Sequence, residues 1–212
     1  MKAKKTVQDQ MPTRERIVRA AMQAFMELGY AETSTLEIAT RARVSKRELY
    51  TLFGNKQAML AAAITDRVQR MPLVPKLPQA RNREALAAIL VELGVTVLRE
   101  VLDPHVMAVF RLAIAEAQRA PEVAQTLETA RMTVRNAVED VVAQSQSAGL
   151  LGAGEVADMG RQYLALLFGD LMIGVLLRVR EAPGTAETDR RARAATADFL
   201  RLNPQAGRVH RR

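Results

Sequence analysis

Between residues 44 and 56 the chain reads Val-Ser-Lys-Arg-Glu-Leu-Tyr-Thr-Leu-Phe-Gly-Asn-Lys. Ser45, Lys46, Arg47, Tyr50, Thr51 and Lys56 gather hydroxyls, two ammonium groups and a guanidinium into a short span. Such donors suit phosphate oxygens and the acceptor edges of bases. Ser45 and Glu48 stand three apart, the spacing at which a serine and a carboxylate cap a helix start reciprocally. Leu49, Leu52 and Phe53 supply an apolar side, so the polar set is expected to face outward. Bond-making chemistry has little to work with. The chain has no Cys and two His, His105 and His210. It shows no Gly-rich phosphate loop and no metal-ligand spacing. Gly152-Ala153-Gly154 reads as a turn and His105 as a capping or surface residue. The expectation is a protein that is not an enzyme and carries no catalytic residue, metal or cofactor.

The elements around this run must hold it as a unit. Pro12-Thr13 opens a helix to about Leu28, with Ile17, Ala20, Ala21, Ala24, Phe25 and Leu28 in an apolar stripe and Gly29 as its stop. Thr33, Ser34 and Thr35 offer hydroxyls to cap a short helix to about Arg41. Ser45 begins the next helix, Lys46 to about Phe53, and Asn55 caps a fourth from Lys56 to about Arg70. Two short helices around a tight turn make a helix-turn-helix, whose second helix enters the major groove of DNA.

Three prolines between Met71 and Pro78 read as a loop. Further helices are expected over Arg83–Val101, His105 to about Arg119, Pro121 to about Ala148, Glu155 to about Val179 and about Thr188 to Leu202. The predicted fold is all-α: a three-helix head joined by a fourth helix to a helical-bundle body, about nine helices in all. The domains read as a flexible basic arm (1–12), the DNA-binding head (13–58), a helical body (59–204) and a basic, disordered tail (205–212).

Charge agrees with this division. The net charge of +8 is distributed as +5 over residues 1–58, −2 over 59–177 and +5 over 178–212. A basic head suits a polyanion such as nucleic acid. No apolar run reaches the roughly 20 residues of a membrane span, and the basic start lacks the apolar stretch of a signal peptide. A cytoplasmic protein without membrane association is expected.

The run V-S-K-x-x-L-Y-x-x-F-x-N-K-x-x-x-L from Val44 to Leu60 resembles the signature of the TetR family of regulators. T-L-x-x-I-A from Thr35 and F-x-E-L-G-Y from Phe25 fit it too, so the likeness is specific over roughly residues 13–63. The segment Asp103–Ala117 is similar to the AefR-like branch. The resemblance implies a homodimeric, sequence-specific transcriptional repressor on a pseudo-palindromic double-stranded operator, released by a small hydrophobic ligand. It implies that Thr35 and Lys56 meet phosphates, that Ser45, Lys46, Arg47 and Thr51 face the groove, and that Tyr50 meets the backbone. Two positions depart from the family pattern. Arg43 stands where the turn usually has Gly and adds a charge near the phosphates. Glu48 replaces a small residue or Thr, and capping is its expected role.

The resemblance also implies an effector cavity in the body, for which Met107, Phe110, Arg111, Met132, Tyr163, Leu167 and Phe168 are candidates. Core packing is the competing role for each, and an internal ion pair for Arg111. Leu171, Met172, Val175, Leu176, Val179, Phe199 and Leu200 are candidates for the subunit interface. Two alternatives stay open: a helical protein–protein adaptor that has lost DNA binding, and a ligand-independent regulator or activator.

Overall fold

A computed structural model of the chain describes residues 11–69, 78–118 and 121–205. The expected arm up to residue 10, nearly all of the proline-rich loop and the tail beyond Gln205 lie outside the described residues. Among those described, the regular structure is ten helices and no strand. The residues fall into two compact units, within 1–71 plus 108–128 and within 72–107 plus 129–212.

The first unit is built on α1 (Thr13–Leu28), α2 (Thr35–Ala42), α3 (Lys46–Phe53) and α4 (Lys56–Gln69). The α1 stripe buries Ile17, Ala21 and Phe25. They share a core with Ile38, Leu49, Met59, Leu60 and Ile64. Leu28 is exposed instead, at the end of the helix. Two more helices, α6 (Pro104–Glu116) and α7 (Pro121–Ser147), contribute Val109, Ala113 and Leu127 to the same core. A helix with apolar residues at three- and four-residue spacing is stabilised chiefly by such burial rather than by its own propensity.

In the second unit α5 (Arg83–Val101) packs against α10 (Thr185–Leu202) and α8 (Val156–Phe168). Asn82 caps α5 by accepting from the Ala85 amide. Asp103 caps α6 by accepting from the amides of His105 and Val106, and His105 itself is exposed. The half-buried Arg83 guanidinium donates to the carbonyls of Leu150, Leu200 and Asn203. One cation thus ties the start of α5 to the turn after α7 and to the end of α10, where unpaired carbonyls carry negative partial charge. Arg83→Ala is expected to lower stability by about 2–3 kcal/mol, the range for hydrogen bonds to a charged group. A denaturant midpoint measured at fixed protein concentration checks it.

The helix expected to run from Glu155 to Val179 is two helices, α8 and α9 (Leu171–Leu176). The break is Gly169, whose φ of 49° and ψ of −125° leave the helical region. Arg191 of α10 reaches this break and donates to the Phe168 carbonyl at 3.3 Å, satisfying a group the interrupted helix leaves free. After α9, Arg178 takes a left-handed φ of 60° and turns the chain toward α10, which starts at Thr185, earlier than its apolar pattern suggests.

Candidate nucleic-acid interface

The turn between α2 and α3 is made by Arg43, at φ 53° and ψ 50°. This left-handed conformation costs a residue with a β-carbon about 1 kcal/mol relative to glycine. The turn is closed by the Val44 amide donating to the Ala39 carbonyl at 3.0 Å. On the other side of α2, Ser34 is the N-cap, accepting from the Glu37 amide. Thr35 is therefore the first helical residue, and its hydroxyl is free of capping. It shares a hydrogen bond of 3.2 Å with the Tyr50 hydroxyl of α3. Arg41 adds a link the sequence did not single out, since its guanidinium bonds Glu37 on its own helix and Glu27 on α1.

The start of α3 is a complete capping box. The Ser45 hydroxyl accepts from the Glu48 amide and donates to the Glu48 carboxylate, which also accepts from the Ser45 amide at 2.8 Å. These bonds, the backbone one foremost, hold the Glu48 carboxyl below the usual carboxylate range, and the charge of Arg16 adds to the effect. Ser45 is thereby engaged in its own helix. Ser45→Ala is expected to cost about 1 kcal/mol of stability, read from thermal unfolding. A carboxylate whose pKa folding depresses stabilises the fold above its unfolded value and ceases to as the pH falls through its folded value. Glu48→Gln should therefore lower the melting temperature near neutral pH and match the wild type only once the pH lies below the depressed value of Glu48 itself.

Lys46, Arg47 and Thr51 are exposed along α3. The Lys46 ammonium lies 6.0 Å from the Tyr50 ring centroid, and the Thr51 hydroxyl donates to the Arg47 carbonyl. Of the apolar side expected for α3, only Leu49 is buried. Phe53 is half-buried under the Arg14 guanidinium and Leu52 is 44% exposed. Two turns of helix bury a narrow stripe, and Leu49 fills it. Lys56 opens α4. Its ammonium donates to the carbonyls of Thr33 and Ala31 and lies 4.3 Å from the Tyr30 ring centroid.

The candidates in the body are distributed unevenly. Met107, Tyr163 and Leu167 are buried, Phe110, Arg111 and Phe168 are half-buried, and Met132 is on the surface. The Tyr163 hydroxyl donates to the Leu90 carbonyl, and burial pushes the phenol up to about 12. An open groove of about 510 Å³ between α5 and α10 is lined by other residues, Val91, Glu92, Val95 and Arg193 among them. Of the interface candidates, Leu171, Val175 and Phe199 are buried in the protomer's own core, where Phe199 packs edge-on against Tyr163. Met172, Leu176 and Leu200 are half-buried and Val179 is 79% exposed. Ile173, Leu177 and Leu202 are further exposed apolar side chains that the sequence reading missed.

A capped helix-turn-helix with basic and hydroxyl side chains outward, followed by a helical body, defines a DNA-binding transcriptional regulator. Residues 17–63 match the family of bacterial regulatory proteins of the TetR type, and residues 88–202 match the C-terminal domain of AefR-like transcriptional repressors. The chain belongs to the TetR family. It is 29% identical to the HTH-type transcriptional regulator UidR of Escherichia coli K12 over 170 residues, 78% of this chain and 80% of that one. Its fold is similar to a TetR transcriptional regulator from Agrobacterium tumefaciens, with a TM-score of 0.80, 26% identity and coverage of 91% and 94% of the two chains. It is also similar to the flavonoid-responsive regulator FrrA, with a TM-score of 0.73, 26% identity and coverage of 92% and 98%. Among the described residues, no helix is long and apolar enough to cross a membrane.

Proposed function

We propose that this chain is a homodimeric transcriptional repressor that holds a pseudo-palindromic operator and releases it when a small apolar molecule binds its body. The exposed face of α3 carries this reading, with Lys46, Arg47 and Thr51 pointing away from the core. In the proposal Arg47 and Thr51 read base edges, and Lys46, Thr35, Tyr50 and Arg43 meet the backbone. Two heads on a twofold axis would read two half-sites. The exposed apolar side chains Ile173, Leu177, Val179 and Leu202 suit the contact with the second copy, because an apolar face of this kind is costly to leave in water.

The match of residues 88–202 to a repressor domain supports repression over activation. The flavonoid response of FrrA supports a flat, largely apolar effector. The effector would meet side chains such as Phe110, and would shift α4 through the core that Met59, Leu60 and Ile64 share with Val109 and Ala113.

The test is to delete the gene, measure transcripts of the genes flanking it, and titrate the purified dimer–operator complex with a flavonoid panel. Repression predicts that flanking transcripts rise on deletion and that a member of the panel dissociates the complex. Falling transcripts would make the protein an activator. A complex indifferent to every member would reject this effector class.

A further inference from the structure

We infer that Lys56 is a positioning residue for the DNA-binding surface, a clasp between α4 and the α1–α2 loop. The inference rests on reading the head as the operator-binding surface. An ammonium has three N–H donors. The Lys56 group directs two of them to the Thr33 carbonyl at 2.8 Å and the Ala31 carbonyl at 3.3 Å. The face of Tyr30 lies 4.3 Å away, and an aromatic face attracts a cation at that range. Lys56 is half-buried, so this arrangement covers much of its charge.

The clasp sits where the head is tied together. Thr33 is buried, its hydroxyl donates to the Ala24 carbonyl of α1 and the Gly29 carbonyl just after it, and its own carbonyl accepts from the Lys56 ammonium. The next residue, Ser34, caps α2, and the one after it, Thr35, bonds Tyr50 of α3. A covalent and hydrogen-bonded path thus runs from α4 through Thr33 to both helices of the DNA-binding motif. Tyr30 is fixed in turn by its contact with the buried Phe25, 5.3 Å between centroids. The side chain that resembles a phosphate clamp in sequence therefore sets the angle at which α2 and α3 are presented.

The test uses the full chain with Lys56→Met, Tyr30→Leu and the double variant, each verified as a folded dimer. Amide hydrogen exchange of residues 33–37 is followed without DNA, and operator affinity across a salt series. The clasp predicts exchange at least tenfold faster in Lys56→Met. It also predicts roughly 10- to 100-fold weaker operator binding at an unchanged salt slope. Tyr30→Leu should act in the same direction, and the double variant should cost less than the sum of the singles, because both remove the one Lys56–Tyr30 contact. A phosphate contact alone predicts unchanged exchange, a slope shallower by about 1.8 for two lost contacts in a dimer, and a neutral Tyr30→Leu. That outcome overturns the inference. If wild type binds no operator, the reading of the head fails, and the exchange result alone decides whether the clasp exists.

Discussion

Arg47→Ala is expected to weaken operator binding by about 2–6 kcal/mol, because a twofold dimer loses one bidentate base contact of about 1–3 kcal/mol in each half-site. Arg47 is the second residue of α3, where a recognition helix meets base edges. Its guanidinium is exposed and carries no hydrogen bond or ion pair among the described residues. Truncation therefore leaves the fold's own bonds intact, and the melting temperature should stay within about 0.5 kcal/mol equivalent of wild type. The loss should also be selective. Non-specific DNA binds through backbone charge, so affinity for a scrambled fragment should fall far less than affinity for the operator. Fluorescence anisotropy with both fragments at one salt concentration reads the two quantities together. Equal losses on both fragments would reduce Arg47 to a phosphate contact and move base reading to Thr51 and Lys46.

Gly94→Ala is expected to destabilise the body by about 1–2 kcal/mol, although alanine is the better helix former by about 1 kcal/mol. Gly94 lies inside α5, and a β-carbon there would stand 2.6 Å from the Tyr163 hydroxyl, 3.1 Å from Leu167 and 3.2 Å from Ala192. The phenol has no room to retreat. It is fully buried, packed edge-on against Phe199, and bonded to the Leu90 carbonyl. The variant must either break that bond in a dry environment, at about 1–3 kcal/mol, or force the three helices apart, at a similar cost. A chain of this size should melt about 2–8 °C lower at constant protein concentration. Tyr163→Phe removes the clashing oxygen and should recover part of the loss in the double variant. An unchanged melting temperature would mean that α5, α8 and α10 pack more loosely than these distances state.

Local chemistry was the legible part of this chain. The Ser45–Glu48 capping box and the α1 stripe each depend on residues within four positions of a neighbour, and the structure contains both. Long-range partners were not legible. The carbonyls that hold Lys56 lie 23 and 25 residues upstream, and those that hold Arg83 lie 67, 117 and 120 residues downstream. No periodicity encodes such pairs. Gly169 was visible as a glycine, but the apolar run around it reads equally as one helix or two. The left-handed φ and the Arg191 guanidinium that satisfies the broken end belong to the tertiary fold. Apolar composition likewise does not tell a residue buried in its own protomer, such as Leu171 or Phe199, from one left exposed, such as Val179.

The most direct test of the account is binding of the purified dimer to its own upstream intergenic DNA across a salt series, against a scrambled fragment of the same length. The account predicts one selectively bound site, at least about 10³-fold tighter than the scrambled fragment, with affinity falling steeply as salt rises. A folded dimer that binds neither fragment at low salt would contradict it.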